Sequence, residues 1–186
     1  MSRKIIMMVG EPAVGKTTIM RAFLEKVKPW VASTATDKLP AIHVEAKRLW
    51  ILGKYDEGEK FAGTDRLSMS IQPIATKFIT ETKDNVMFEG DRLGNRSFVD
   101  HILSLDDVDF EILHIEASEK TKKQRHVDRA DTQDDTFLKG RRTKVSNIAH
   151  ALDLIGVVTT MDNNTPDDLK LIVDQMMAML DNEITL

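Results

Sequence analysis

Residues 10–18 read Gly-Glu-Pro-Ala-Val-Gly-Lys-Thr-Thr, and this stretch decides the fold of the chain. It fits the pattern G-x-x-x-x-G-K-[ST] in full. The apolar run Ile5–Val9 precedes it, and residues 16–28 carry apolar side chains at helical spacing after it. The sequence therefore predicts a buried strand, a glycine-rich turn and a helix, an order in which backbone N–H groups point at phosphate oxygens.

The residue types within this stretch predict a nucleoside triphosphate, with ATP as the expected one, and Mg²⁺ as ligands. The glycines permit backbone angles that side chains would forbid. Lys16 can reach the β and γ phosphates, and the Thr17 hydroxyl can ligate Mg²⁺. The residues predicted to hold the nucleotide are Gly10, Ala13, Val14, Gly15, Lys16, Thr17 and Thr18.

Composition limits the classes of partner. The chain has 186 residues, 41% of them hydrophobic, and a net charge of −4, so any nucleic-acid contact needs a local basic patch. It has no cysteines, which excludes disulfides and thiolate metal sites and fits a protein of the cytoplasm. No apolar run approaches the ~18 residues that span a membrane, so we expect no membrane partner.

Strand and helix patterns alternate along the chain, which predicts an α/β fold of three layers, with about five parallel strands and helices on both faces. We find no linker and predict a single domain over residues 1–186. Residues 31–41, rich in Ala, Ser and Thr, predict a loop, and residues 53–67 predict a long functional loop. Strands are predicted at 4–9, 42–52, 85–88, 110–115 and from 157, and helices at 16–28, 70–82, 96–104, 118–129, 137–155 and from 165.

The end of the strand at 85–88 is the first place where a phosphate acceptor can lie, because ligands of parallel sheets bind at the carboxyl ends of strands. Glu89 and Asp91 follow this strand, separated by a glycine. Either acid can hold Mg²⁺ or take the proton of the acceptor, and Arg92 can pair with a phosphate. The alternative is a solvated turn with a salt bridge.

The second place lies in the long loop. Asp56 follows the apolar run 49–52, and Thr64, Asp65 and Arg66 form a tight turn that presents a hydroxyl, a carboxylate and a guanidinium. Such groups suit a small polar substrate. The alternative is a turn in which Asp65 merely caps a helix.

The third place is the basic segment 120–144, for which we predict a lid. Arg125 and Arg129 are four residues apart and share a helix face. Arginines can neutralise the charge that spreads over a transferring phosphoryl group, and a lid would exclude water. The alternative is a solvated basic helix.

The three places together resemble the P-loop nucleoside and nucleotide kinases. In that family a strand ends in an Asp-Arg pair near the acceptor, as at Asp91-Arg92, and a lid carries arginines spaced like Arg125 and Arg129. The resemblance implies that the loop after the last strand, residues 162–166 with Asn163, contacts adenine.

A narrower resemblance rests on GTDRLSM (63–69), FEGDRL (88–93) and FLKGRRTKVSNI (137–148). These stretches are similar to the phage 5-hydroxymethyluracil DNA kinases, which phosphorylate the hydroxymethyl group of that base in DNA. The resemblance implies a host cytoplasm, an acceptor pocket of Asp65, Arg66, Asp91 and Arg92, and DNA phosphates near Lys139, Arg141 and Arg142. The acidic overall charge departs from what a DNA-acting enzyme usually shows.

Two other functions stay open at this point. One is a kinase of free nucleosides or nucleoside monophosphates, which would use the same residues on a small acceptor. The other is a nucleotide-dependent switch or ATPase module acting on a partner protein, although the chain lacks the Asn-Lys-x-Asp signature of guanine recognition.

Overall fold

The computed structural model describes residues 2–59, 62–128 and 134–181. The strands are β1 (Arg3–Val9), β2 (Val31–Thr36), β3 (Leu39–Val44), β4 (Leu49–Leu52), β5 (Asn85–Glu89), β6 (Val108–Glu116) and β7 (Val158–Asp162). The α-helices are α1 (Lys16–Lys26), α2 (Gln72–Glu81), α3 (Arg96–Leu103), α4 (Glu119–Asp128), α5 (Asp135–Ala149) and α6 (Pro166–Asp181).

All seven strands form one sheet in the order β2-β3-β4-β5-β1-β6-β7. The five strands from β4 to β7 in this order pair in parallel, as predicted, while β3 pairs antiparallel with both β2 and β4. The predicted α/β fold is thus confirmed, with an antiparallel extension at one edge. Strand β1, which leads into the glycine-rich turn, lies between β5 and β6.

The prediction of a loop at residues 31–41 is wrong, because β2 and the first half of β3 lie there. Most of the β2 side chains are exposed at the sheet edge, so the strand carries no apolar alternation that sequence reasoning can detect. Pro40, which argues against a strand, sits at the second position of β3, beside a register shift at Thr34–Thr36.

Two apolar layers cover the sheet. One face packs against α1 and α6 through residues such as Ile19, Phe23 and Met176. The other face packs against α2, α3 and α5 through residues such as Phe78 and Phe98. The three predicted layers follow from strands that are buried on both faces.

The helix predicted over residues 137–155 is shorter than expected. Helix α5 ends at Ala149, and a separate 3₁₀ helix covers Leu152–Leu154. Among the helices of the described residues, none is both long and apolar enough to cross a membrane.

Candidate active site

The turn between β1 and α1 has the backbone shape that an anion-binding loop needs. Ala13 and Gly15 both adopt left-handed angles, with φ of 66° and 99°, and Gly15 directly precedes the helix. The Lys16 ammonium folds back over the turn and donates to the carbonyl oxygens of Gly10 at 2.6 Å and Glu11 at 3.1 Å. Helix α1 therefore points its positive end, and Lys16, at the space in front of the loop.

Two residues from distant parts of the chain support this loop. Asn163 is buried and donates to the carbonyl of Val14 at 2.8 Å. Arg125 donates to the same carbonyl at 2.8 Å, to that of Ala13 at 3.2 Å and to that of Asn163 at 2.9 Å. The structure thus places Arg125 and Asn163, predicted to contact the transferring phosphate and adenine, against the loop backbone.

A buried carboxylic acid faces the start of α1. Glu89, at the end of β5, is only 2% exposed, and the Thr17 hydroxyl donates to its Oε1 at 3.3 Å. Burial raises the pKa of Glu89 to about 7, while the charge of Lys16 acts in the opposite direction. The acid is therefore poised between its neutral and ionised forms near neutral pH.

Two further acids lie beside Glu89. The Asp91 N–H donates to Asp65 Oδ1 at 2.6 Å, which joins the long loop to the end of β5. Gly90, at φ 109°, permits this approach, since a side chain there would lie 2.7 Å from Thr64 Oγ1. Burial and the neighbouring charge of Asp91 raise the pKa of Asp65, and the charge of Lys16 lowers it. Predicted acids from the first and second places thus meet in one cleft with Lys16.

The remaining residues of the second place have internal partners. The Thr64 hydroxyl is fully buried and donates to the Glu89 carbonyl at 2.9 Å, so it serves the loop rather than presenting itself to a substrate. Arg66 pairs with Asp56 at 2.6 Å. Arg92, from the first place, also has an internal partner, since it donates to the Leu67 carbonyl at 3.4 Å.

Helix α5 of the predicted lid contacts the acceptor side of the cleft. Arg141 Nη1 lies 2.8 Å from Asp91 Oδ2, and Lys144 Nζ donates to the Asp91 carbonyl at 2.6 Å. Burial lowers the pKa of Lys144. Asp91, predicted to bind metal, is therefore paired with a guanidinium in this structure.

The same helix reaches the phosphate loop through Arg142, whose Nε lies 3.0 Å from Glu11 Oε2. Lys122 of α4 lies 2.8 Å from that oxygen and 2.6 Å from Glu119, and Glu119 also approaches Arg142 at 3.4 Å. This group of four residues was not predicted from the sequence. Two features of the sequence could have indicated these contacts. They are an acid, Glu11, inside an anion-binding loop, and the three-residue spacing of Glu119 and Lys122. Arg129 lies outside the described residues.

A cavity of about 420 Å³ opens where the resemblance predicts adenine. It lies at the ends of β6 and β7 beside the phosphate loop, and its lining includes Val14, Ser118, Asp162 and Asn164. Asn164 also accepts hydrogen bonds from the Ser118 N–H at 2.8 Å and the Thr121 hydroxyl at 3.0 Å.

The residues at Thr17 fit a magnesium ion that is completed by phosphate and water. Thr17 Oγ1 and Glu89 Oε1 are 3.3 Å apart, close to the ~3 Å between adjacent ligands of an octahedral Mg²⁺. The described residues contain no cluster of three acidic or histidine side chains that would bind a metal alone. Mg²⁺ usually takes one or two carboxylates plus substrate phosphates, so a hydroxyl and one acid suffice.

Comparisons with known proteins agree with this geometry. Residues 1–178 match the family described as P-loop Nucleotide Kinase3. No curated protein sequence matches the chain significantly.

Three solved structures share the fold. A gluconokinase from Sinorhizobium meliloti 1021 is 18% identical, with a TM-score of 0.53, over 95% of this chain and 91% of that one. A sugar kinase from Janibacter sp. HTCC2649 is 14% identical, with a TM-score of 0.51, over 97% and 95% of the two chains. A fungal RNA kinase is 12% identical, with a TM-score of 0.53, over 99% and 89%. With the family match over nearly the whole chain, the protein is a kinase that belongs to the P-loop nucleotide kinase family.

Proposed function

We propose that this kinase transfers the γ-phosphoryl group of ATP to a hydroxyl group of a nucleotide-type acceptor, and specifically to the hydroxymethyl group of 5-hydroxymethyluracil in DNA. The observation that carries the proposal is the gathering of Glu89, Asp65 and Asp91 around the cleft that Lys16 faces. Three carboxylic acids suit an alcohol, which must lose a proton. They would repel the dianion of a phosphate monoester.

The arginines of the cleft support the same choice of acceptor. A nucleoside monophosphate needs guanidinium groups for its phosphate. Arg66 is instead paired with Asp56 and Arg141 with Asp91, while Arg92 donates to the Leu67 carbonyl. The acceptor end of the site is therefore closer to neutral than a phosphate-binding pocket would be.

The roles of the residues follow from their positions. The amides of the phosphate loop and Lys16 orient the donor, and Thr17 and Glu89 hold Mg²⁺, which neutralises charge on the phosphates when bound. The acceptor oxygen attacks the γ-phosphorus, the bond to the β-phosphate oxygen breaks, and the acceptor proton passes to Asp65 or Asp91. A loose transition state needs little help from proton removal, so a carboxylate is a sufficient base.

Exposed cations outside the cleft support DNA as the carrier of the acceptor. Lys120 and Lys123 of α4 and Lys139 of α5 are exposed, on the two helices that border the site. Such a face can contact a phosphate backbone although the whole chain carries a charge of −4.

Labelled ATP tests the proposal directly. We expect label in DNA that contains 5-hydroxymethyluracil, and none in thymine DNA, free nucleosides or nucleoside monophosphates. Lys16→Met should abolish transfer without unfolding the protein. If only a free nucleoside is labelled, the acceptor is a small molecule and not DNA. ATP hydrolysis with no labelled acceptor would contradict the proposal altogether.

A further inference from the structure

The hydroxyl group of Tyr55 is an unpaired polar group in the interior. Tyr55 lies three residues after β4, and its hydroxyl is buried without a hydrogen-bond partner among the residues that the structure describes. Leaving a buried hydroxyl unsatisfied is destabilising, so a group of this kind needs an explanation.

The local backbone fixes this side chain next to the metal-binding residues. Lys54 and Gly63 exchange two backbone hydrogen bonds, at 3.1 and 2.8 Å, which closes the segment that follows β4. Gly63 lies against Glu89, since a Cβ atom there would be 2.5 Å from Oε1. The Tyr55 ring packs against the apolar cluster that contains Met20 of α1. Tyr55 therefore belongs to a segment that is held against Glu89 through Gly63, and its ring packs on an apolar cluster to which α1 contributes.

The hydroxyl lies within electrostatic range of two acids of the cleft. Burial raises the pKa of Tyr55 well above its ordinary value, and the charges of Glu89 and Asp65 raise it further, while Arg21 lowers it. The phenol consequently stays neutral and keeps one donor and an acceptor oxygen. A hydration water of Mg²⁺ is a strong donor, so the phenol oxygen can accept a hydrogen bond from it.

We propose that Tyr55 is a positioning residue of the magnesium site, whose hydroxyl oxygen accepts a hydrogen bond from a hydration water of Mg²⁺. The inference rests on the proposed binding of Mg²⁺ with nucleotide at Thr17 and Glu89. No side chain or backbone group among the described residues occupies the hydroxyl, so it is available to such a water. Groups that hold a metal indirectly in this way typically change its affinity by 10–100-fold when removed.

The test is Tyr55→Phe, which removes only the hydroxyl. We expect the Mg²⁺ concentration that half-saturates nucleotide binding, measured by calorimetry, to rise about tenfold. Nucleotide affinity in EDTA should stay within a factor of two. The melting temperature without ligands should equal or exceed that of the unmodified protein, because an unpaired polar group has been removed.

Trp30→Phe is the matched control. Trp30 packs against the same apolar cluster, but its Nε1 donates to the Leu24 carbonyl at 3.1 Å, away from the cleft. This variant should melt at a lower temperature and leave the Mg²⁺ dependence unchanged.

Three results would overturn the inference. They are an unchanged Mg²⁺ half-saturation in Tyr55→Phe, an equal loss of nucleotide affinity with and without Mg²⁺, and a clear fall in its melting temperature without ligands. Absence of Mg²⁺-dependent nucleotide binding in the unmodified protein would instead refute the proposed function itself. The two failures are therefore distinguishable.

Discussion

Glu89 makes the stability of this protein depend on pH in the opposite direction to a salt-bridged acid. The ordinary value for this side chain is 4.5, and in the folded protein burial raises the pKa to about 7. Between these values the folded state binds more protons than the unfolded chain. The contribution of protonated Glu89 to the free energy of unfolding is therefore fully present below pH 4.5 and is lost as the pH rises through 7. The active-site acid thus lowers stability when it is ionised for function.

Replacing Glu89 by its amide should remove this dependence of stability on pH. We expect Glu89→Gln to have a higher free energy of unfolding than the unmodified protein at pH 8, by roughly 1–3 kcal/mol, and no such advantage at pH 4.5. Urea unfolding at a series of pH values measures the difference. Glu57→Gln, at an exposed position of the long loop, should show no trend. A difference that does not change with pH would contradict the buried, high-pKa acid.

Gly63 is a second residue of interest, because comparing it with Gly58 separates the effect of contact with Glu89 from the effect of backbone strain. Its φ is 69°, and a Cβ atom would lie 2.5 Å from Glu89 Oε1. Gly58 has a similar φ of 75°, and no atom of the described residues lies within 4 Å of where its Cβ would be. Both alanine variants carry left-handed strain, but only Gly63→Ala displaces the acid.

We therefore expect Gly63→Ala to lose about 10²-fold in phosphoryl transfer, since small misplacements of catalytic groups have effects of this size. Gly58→Ala should keep its transfer rate and lose only stability. Steady-state rates and thermal melting of the two variants decide the question. Equal rates in the two would mean that Glu89 tolerates displacement.

The sequence motif predicted Lys16 and Thr17 because a local pattern dictates the shape of the loop. It could not predict that Glu89 faces Thr17 or that Asp65 bonds to the Asp91 N–H, because these pairs are 72 and 26 residues apart. Their meeting depends on strand order, which a single sequence does not reveal. Strand ends indicated the correct edge of the sheet, but not which acids are paired with arginines.

At the scale of elements, α5 joins the two halves of the site. Its adjacent residues Arg141 and Arg142 reach Asp91 on the acceptor side and Glu11 on the donor side. The group formed by Glu11, Lys122, Glu119 and Arg142 has no net charge, so removing one member leaves a charge beside the nucleotide phosphates. Arg142 is half exposed, which limits each effect to about 1 kcal/mol.

This balance predicts the nucleotide affinities of three variants. Arg142→Gln leaves an extra negative charge and should bind ATP about fivefold more weakly. Glu11→Gln should bind ATP more tightly, and the double variant should return close to the starting affinity. Fluorescence titration with a nucleotide analogue measures all three. Weaker binding by Glu11→Gln would instead mean that its contact with α5 closes the site.

For the molecule as a whole, a net charge of −4 must be reconciled with the proposed DNA acceptor. Charge reversal at Arg141 or Arg142 would break contacts with Asp91 or Glu11, so it cannot report on DNA alone. The exposed lysines are the better probes.

We expect Lys123→Glu combined with Lys139→Glu to weaken phosphorylation of hydroxymethyluracil DNA and to reduce the steepness of its decline with salt. Each neutralised phosphate contact changes the slope of log affinity against log salt by about 0.9. Initial rates between 50 and 200 mM salt, about the range over which such effects are large, provide the measurement. ATP binding is the internal control and should not change. An unchanged salt slope would place the DNA on another face.

The hydrogen bond from Asn163 to the Val14 carbonyl also bears on when the site forms during synthesis of the chain. The two residues are 149 positions apart, and Asn163 lies only 2.5 Å from where a Gly15 side chain would begin. On the ribosome, the glycine-rich turn is therefore made long before the residue that braces it. A nascent chain that stops short of Asn163 should not retain ATP, so nucleotide capture would show that synthesis has passed this residue.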